Sequence, residues 1–426
     1  MSARWKAIGA LGLVVSIVVC ACSPLNQQAP PERLAVVART SVAASPTPSP
    51  TPTTKAGDLT LARAVDFRAL VNETLAAQAI ALLRQDEEAF LRPANNADAR
   101  NGLLRRYRNL TAMRVTGFQL SSGPLEADSG TGQWKSKVYI SFCFVVANCT
   151  MDGVSEPAVW ADTATGPELL ALQPAAVSDD WYGDPQPWEL SDLHVAVGTR
   201  VVVATTAALK NRLPELLREA EKAAQVADEF AIRGKPDLYR VYLADKNEWK
   251  TWFGVVMPRW AAGYAKEIGP SHTDVVLNNS SARSQYLADM LRHELTHAST
   301  LQGKHHWSGN WWLIEGIAEL AAHPVGLGPA DWKAETISYV RRSWDRKLPG
   351  EDPPDDISDS AAGARYGVAF LAVKRLNDRF GHAKVIDFFE RVIEQDLPLS
   401  VVSESVFGSP WSEVEADCIG FIRAYR

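Results

Sequence analysis

The chain has 426 residues, of which 46% are hydrophobic and 22% charged, and its formal net charge is −6. That length accommodates two or three compact domains, and the composition is that of an ordinary globular protein. An acidic chain without a basic stripe excludes the usual nucleic-acid binder, and a peptide or protein partner fits better.

The amino-terminal segment reads as a targeting signal. Arg4 and Lys6 precede an apolar run from Ala7 to Val19, which has the length of a signal h-region. That run falls short of the ~20 apolar residues a membrane span needs. Val19-Cys20-Ala21-Cys22 then looks like a bacterial lipobox, so 1–21 is expected to be a lipoprotein signal peptide and Cys22 the lipidated residue. A plain secretory signal cut nearby is the alternative. The expected location is outside the cytoplasm, lipid-anchored to the outer face of a bacterial cell membrane or to an outer membrane, since two or more acyl chains anchor stably. Residues 22–57 are rich in Pro, Ser, Thr and Ala, cannot bury a core, and are expected to form an extended linker.

Residues 58–203 read as an α+β domain. A long helical segment from Ala62 to Phe90 and a shorter one near Asp98 to Leu110 carry apolar residues at helical spacing. Strand-like runs follow at Met113–Gln119, Gly132–Phe144, Ala158–Asp162, His194–Val197 and Val201–Val203. Trp134, Trp160, Trp181 and Trp188 fall at strand spacing and are expected in the core, with the lining of a pocket as the alternative. Cys143 and Cys149 are close enough for a hairpin disulfide in an oxidising compartment, and Cys418 reads as a small buried hydrophobe. Helices followed by an antiparallel sheet resemble the nuclear-transport-factor-2-like cone, a resemblance of pattern that brings no catalytic residues.

Residues 204–426 read as a mainly helical domain with a small sheet. A helix is expected over Thr205–Phe230, a strand at Leu238–Ala244, a helix at Lys246–Phe253 and a second strand at Asp274–Asn278. A helix from Gln285 to Leu301 carries Asp289-Met-Leu-Arg-His293-Glu294-Leu-Thr-His297. Further helices are expected at Ala330–Asp345, Tyr366–Phe380, His382–Gln395 and Trp411–Tyr425.

The chemistry lies in that motif helix. Residues four apart share a helix face about 6 Å apart along the axis, so His293 and His297 can converge on one zinc ion. Glu294 then stands beside the open coordination position, where it can act as general base toward the attacking water. Eighteen positions after His297, Trp312-Leu-Ile-Glu315-Gly-Ile-Ala-Glu319-Leu320 supplies the carboxylate that a three-ligand catalytic site still lacks. Glu319, one turn after Glu315, is placed to fix the tautomer of a ligating imidazole, and Asp289 is a second candidate for that work.

His-Glu-Leu-Thr-His followed by W-L-I-E-G-I-A-E-L resembles the gluzincin zinc metallopeptidases, the peptidase-MA-like group of thermolysin and aminopeptidase N. The resemblance covers roughly Leu238 to Tyr425. It implies Zn2+ held by His293, His297 and Glu315, with Glu294 as catalytic base. Metzincins fit poorly, since their pattern wants glycine at position 300 and histidine at 303, whereas this chain has Thr300 and Gly303. His305 and His306 are therefore read as loop residues. Ala364-Arg-Tyr366-Gly resembles the Y-x-x-G-A stretch of aminopeptidase N relatives, which implies that Tyr366 stabilises the transition state. No G-A-M-E-N-like exopeptidase motif is recognised upstream, which favours endopeptidase action. The expected strand at Asp274–Asn278 is assigned either to substrate pairing, as in gluzincins, or to the core. The expected function is zinc-dependent hydrolysis of peptides or proteins at the cell envelope. The alternative is a non-catalytic binding or scaffolding lipoprotein with an inactive zincin domain.

Overall fold

The computed structural model describes residues 56–176, 185–254, 260–268, 272–301, 309–328 and 330–426. The expected signal segment, Cys22, the expected linker up to residue 55, Trp181, His305 and His306 lie outside the described residues. Helix α1 spans Ala56–Leu83, α2 Glu87–Leu91 and α3 Ala97–Ala112. Apolar spacing continues across α1 and α2, which is why the sequence predicts a single helical segment over Ala62–Phe90. Between them Gln85 takes a left-handed φ of 59°, and Asp86 restarts the helix by accepting a hydrogen bond from the Ala89 amide. Strands β1 (Val115–Ser122), β2 (Glu126–Asp128), β3 (Gln133–Phe144), β4 (Asp152–Thr163) and β5 (Gly166–Leu172) form an antiparallel sheet ordered β1-β3-β4-β5, with β2 also pairing with β3. Helices α1 and α3 pack on this sheet, and Phe67, Leu75, Leu103, Phe142, Trp160 and Trp188 are buried within its core. Trp134 joins the same core, and a disulfide links Cys143 to Cys149.

The second sheet follows. After α4 (Pro187–Leu190) come β6 (His194–Val197), β7 (Val201–Thr205), α5 (Leu213–Ala227), β8 (Tyr239–Ala244), α6 (Lys246–Phe253), β9 (Gly263–Glu267) and β10 (Thr273–Asn278). The sheet order is β6-β7-β8-β10-β9, with β7, β8 and β10 parallel and both outer pairs antiparallel. Alternation decides what each face meets. Val201, Val203, Val241, Leu243, Val275 and Leu277 face α5 and the next helix, α7 (Ser284–Thr300), while Val202, Ala204, Tyr242 and Val276 join the front core. Strands β6 and β7 thus belong to this sheet and not with the front strands, where the sequence reading grouped them. β7 pairs in parallel with β8, some 38 residues along from Val201 to Tyr239, and no local signal announces such a partner.

The two layers are also joined by charge. Arg240 on β8 donates to Asp274 on β10 at 2.6 Å and to Asp152 on β4 at 2.7 Å, and Asp152 faces His272 Nδ1 at 2.8 Å. Phe142 and Phe144 flank the same guanidinium.

The rest of the chain is helical: α8 (Trp311–Ala322), α9 (Ala330–Arg342), α10 (Asp359–Phe380), α11 (His382–Phe389) with a π-helical turn at Glu390–Glu394, α12 (Leu399–Phe407) and α13 (Trp411–Ala424). Helices α8 and α10 are the centre of its core, and α8 is apolar except for Glu315 and Glu319. A Cβ on Gly316 would come within 2.6 Å of the Ala369 carbonyl, so glycine is what lets α8 and α10 cross so closely. The free thiol of Cys418 is buried in this core. Among the described residues, no helix is long and apolar enough to cross a membrane. The fold class is α+β: an antiparallel sheet under helices in front, and a mainly helical part with a smaller sheet behind.

Candidate metal centre

Helix α7 seats Leu287, Leu291, Leu295 and Ala298 on the second sheet, which turns the opposite stripe of the helix toward α8. His293 and His297 lie on that stripe. Helix α8 is held in place at its start, where the amides of Trp311 and Trp312 donate to the carbonyls of Gly350 and Pro349 at 3.2 and 2.9 Å. Along this buried helix, Glu315 is only half-buried and faces α7.

Three side chains converge. The Nε2 atoms of His293 and His297 are 3.1 Å apart, and each lies within 3.2–3.3 Å of Glu315 Oε2. Ligands around a tetrahedral zinc at ~2.1 Å stand about 3.4 Å from one another, so this triangle has nearly the required size. Glu315 Oε2 is buried without a hydrogen-bond partner, as is His297 Nδ1. An orphaned carboxylate oxygen between two imidazole nitrogens is a donor set for a borderline-soft cation, and Zn2+ fits it.

The surrounding groups fall into place around this triangle. Glu319 presents Oε1 to His293 Nδ1 at 3.3 Å, on the side of the ring away from Glu315. Asp289 pairs with Arg292 and not with the imidazole of His293 or His297, and its other oxygen lies 3.9 Å from His323 Nδ1. The Tyr366 ring is 6.1 Å from that of His293 and packs edge-on against Trp311 at 4.9 Å. Trp260, just before β9, lies 6.5 Å from Tyr366 and donates through Nε1 to the Pro354 carbonyl at 3.2 Å.

Charge is uneven here. Burial alone would raise the Glu315 carboxyl, but the imidazoles of His297 and His293 more than offset it and hold it at about 2. Burial raises Glu294, with His293 and His297 opposing. Burial would lower His293, yet Glu319 and Glu315 push it well above its ordinary value. Tyr366 is raised by burial and by the charges of Glu315 and Glu294, which keeps its hydroxyl a proton donor.

The edge of the second sheet reaches this site. Strand β10 lies inside the sheet between β8 and β9, so Asp274–Asn278 is not the edge strand that the sequence reading considered for substrate pairing. Its Val275-Val276-Leu277 run is buried on both faces, as a central strand requires. The edge on this side of the sheet, among the described residues, is β9. Its Gly-Tyr-Ala-Lys-Glu sequence is poor in β-formers, so periodicity does not reveal it. A Cβ on Gly263 of β9 would meet the Glu294 carboxylate, its Cδ at 2.7 Å.

No family model matches the chain, and no curated protein matches it. Solved structures do resemble it. An M1 zinc metallopeptidase from Deinococcus radiodurans is 16% identical at a TM-score of 0.36, covering 63% of this chain and 59% of its own. A mutant from the same organism bound to a Tyr-Ser-Ala substrate is 13% identical, TM-score 0.34, covering 71% and 75%. A two-domain M1 zinc metallopeptidase mutant bound to L-tryptophan is 13% identical, TM-score 0.36, covering 74% and 95%. The chain thus spans less than two thirds of the first of these. What this site can do is read from its own residues.

Proposed function

We propose that the chain is a zinc metallopeptidase that hydrolyses peptide bonds in peptides or proteins. The observation that carries this reading is the convergence of His293, His297 and Glu315 on one point beside the buried carboxylate of Glu294. When bound, zinc supplies Lewis-acid polarisation and makes water nucleophilic near neutral pH. Three protein ligands leave a coordination position open, whereas a purely structural site is normally closed by four.

The residues then divide the work. Glu294, held above its ordinary pKa by burial, accepts a proton from the attacking water and returns it to the leaving amine. Tyr366 keeps its proton and donates a hydrogen bond to the carbonyl oxygen as charge develops there. Strand β9 brings Gly263 against the Glu294 carboxylate and so helps to place the base. Endopeptidase action is the reading adopted, because no G-A-M-E-N-like exopeptidase motif is recognised upstream of the motif helix. Zinc analysis and chelator-sensitive cleavage of an unstructured protein such as casein test the reading; a protein that binds no zinc and leaves casein intact overturns it.

The leader and lipobox support export and anchoring through Cys22. Cys22→Ser should release the protein from membranes or block its processing. A variant processed normally and still wholly membrane-bound contradicts the anchor.

A further inference from the structure

We propose that His323 is a positioning residue of the metal centre, acting on the ligand His293 through Glu319; this rests on the zinc reading above. Glu319 uses both carboxylate oxygens. Oε1 faces His293 Nδ1 at 3.3 Å and Oε2 faces His323 Nε2 at 3.5 Å. A carboxylate held at its far oxygen cannot swing away from the imidazole it orients, and that orientation fixes the ring nitrogen presented to a metal.

The imidazole of His323 is itself held. It is the residue one turn beyond Glu319 and closes α8, with its amide donating to the Glu319 carbonyl at 2.9 Å. One face of the ring lies against Gly328, where a Cβ would stand 2.8 Å from Cε1 and 3.0 Å from Nδ1. Trp332 of α9 packs on it with ring centroids 5.1 Å apart, and the Trp332 indole is tied to the Gly363 carbonyl at 2.7 Å. Nδ1 of His323 faces Asp289, which Arg292 pairs. The series from Arg292 through Asp289, His323 and Glu319 to His293 therefore joins the back of α7 to the metal face. His323 also borders a cavity of about 750 Å³ lined by Arg292, Leu320, Phe230 and Leu327, so a shorter side chain there leaves no sealed hole.

The test is a zinc competition titration against a chromophoric chelator, run on the full protein and three variants. His323→Leu removes the contact to Glu319, His323→Gln restores a donor, and Gly328→Ala pushes the ring without changing it. The parent should bind one zinc. His323→Leu should bind it about 10- to 100-fold more weakly. His323→Gln should recover most of that loss, and Gly328→Ala should fall between, with melting temperatures of the metal-free proteins unchanged. Zinc affinities within about twofold of the parent in His323→Leu and Gly328→Ala overturn the proposal. So does a loss in His323→Leu that tracks a lowered melting temperature and is not relieved in His323→Gln. If the parent itself binds no zinc, the metallopeptidase reading fails and this inference falls with it.

Discussion

Tyr366 acquires its significance from neighbours rather than from its own position in the sequence. It sits in the second turn of α10, against Trp311 and near the His293 ring, with a hydroxyl that stays protonated. Losing one donor to a developing oxyanion typically costs ~2.7–4 kcal/mol of transition-state stabilisation. Tyr366→Phe should therefore lower turnover about a hundredfold or more while zinc content and melting temperature hold, and steady-state cleavage by the purified variant checks this. A variant as fast as the parent assigns Tyr366 to packing alone. The inner residues of the site were legible because helix period alone sets them on one face: four residues separate His293 from His297, and four separate Glu315 from Glu319. His323 continues the second series by one more turn, so its place was readable too, though its clamp by Gly328 and Trp332 was not. Those contacts come from other elements, which no spacing within α8 reports.

At the scale of elements, helices were read more accurately than strands. The apolar stripes of α7 and α10, and the apolar run of α8 interrupted only by Glu315 and Glu319 one turn apart, follow from periods of 3.6 residues. Strand β9 carries no comparable pattern, yet among the described residues it forms the sheet edge beside the Glu294 carboxylate. Gly263 shows why the strand can come so close. Gly263→Ala places a methyl group where Glu294 now lies, and the carboxylate at the end of a flexible side chain gives way before the backbone does. Misplacing a reacting group by ~1 Å can cost about a hundredfold in rate. Gly263→Ala should thus keep the fold and the zinc, judged by circular dichroism and metal analysis, and lose most of its turnover. Unchanged kinetics would separate β9 from the reaction.

Across the whole molecule, the front and rear halves share a sheet and a buried ion cluster, and a boundary drawn at residue 203 runs through β7. Sequence showed where composition and periodicity change, but strand partners are chosen in three dimensions. Asp152 marks the joint. Burial would raise its carboxyl, but Arg240 and His272 hold it below the ordinary range. A group with a lowered folded pKa stabilises above its unfolded value, ~3.9 for aspartate, and loses that contribution as pH falls through the folded one. Asp152→Asn should therefore be destabilised most near pH 7, by about 1.5–3 kcal/mol for the lost charged partner, since Arg240 keeps Asp274, with the gap to the parent closing below about pH 4. Denaturant midpoints measured from pH 7 to 3 check this, and a gap that widens in acid contradicts it. The central claim, that this chain hydrolyses peptides with a three-ligand zinc and Glu294 as base, is tested most directly by comparing zinc content and casein cleavage in Glu294→Gln with the parent. One zinc per chain in both proteins, with chelator-sensitive cleavage only in the parent, is the expected result; cleavage by Glu294→Gln at the parent's rate, or a parent that holds no zinc, would contradict it.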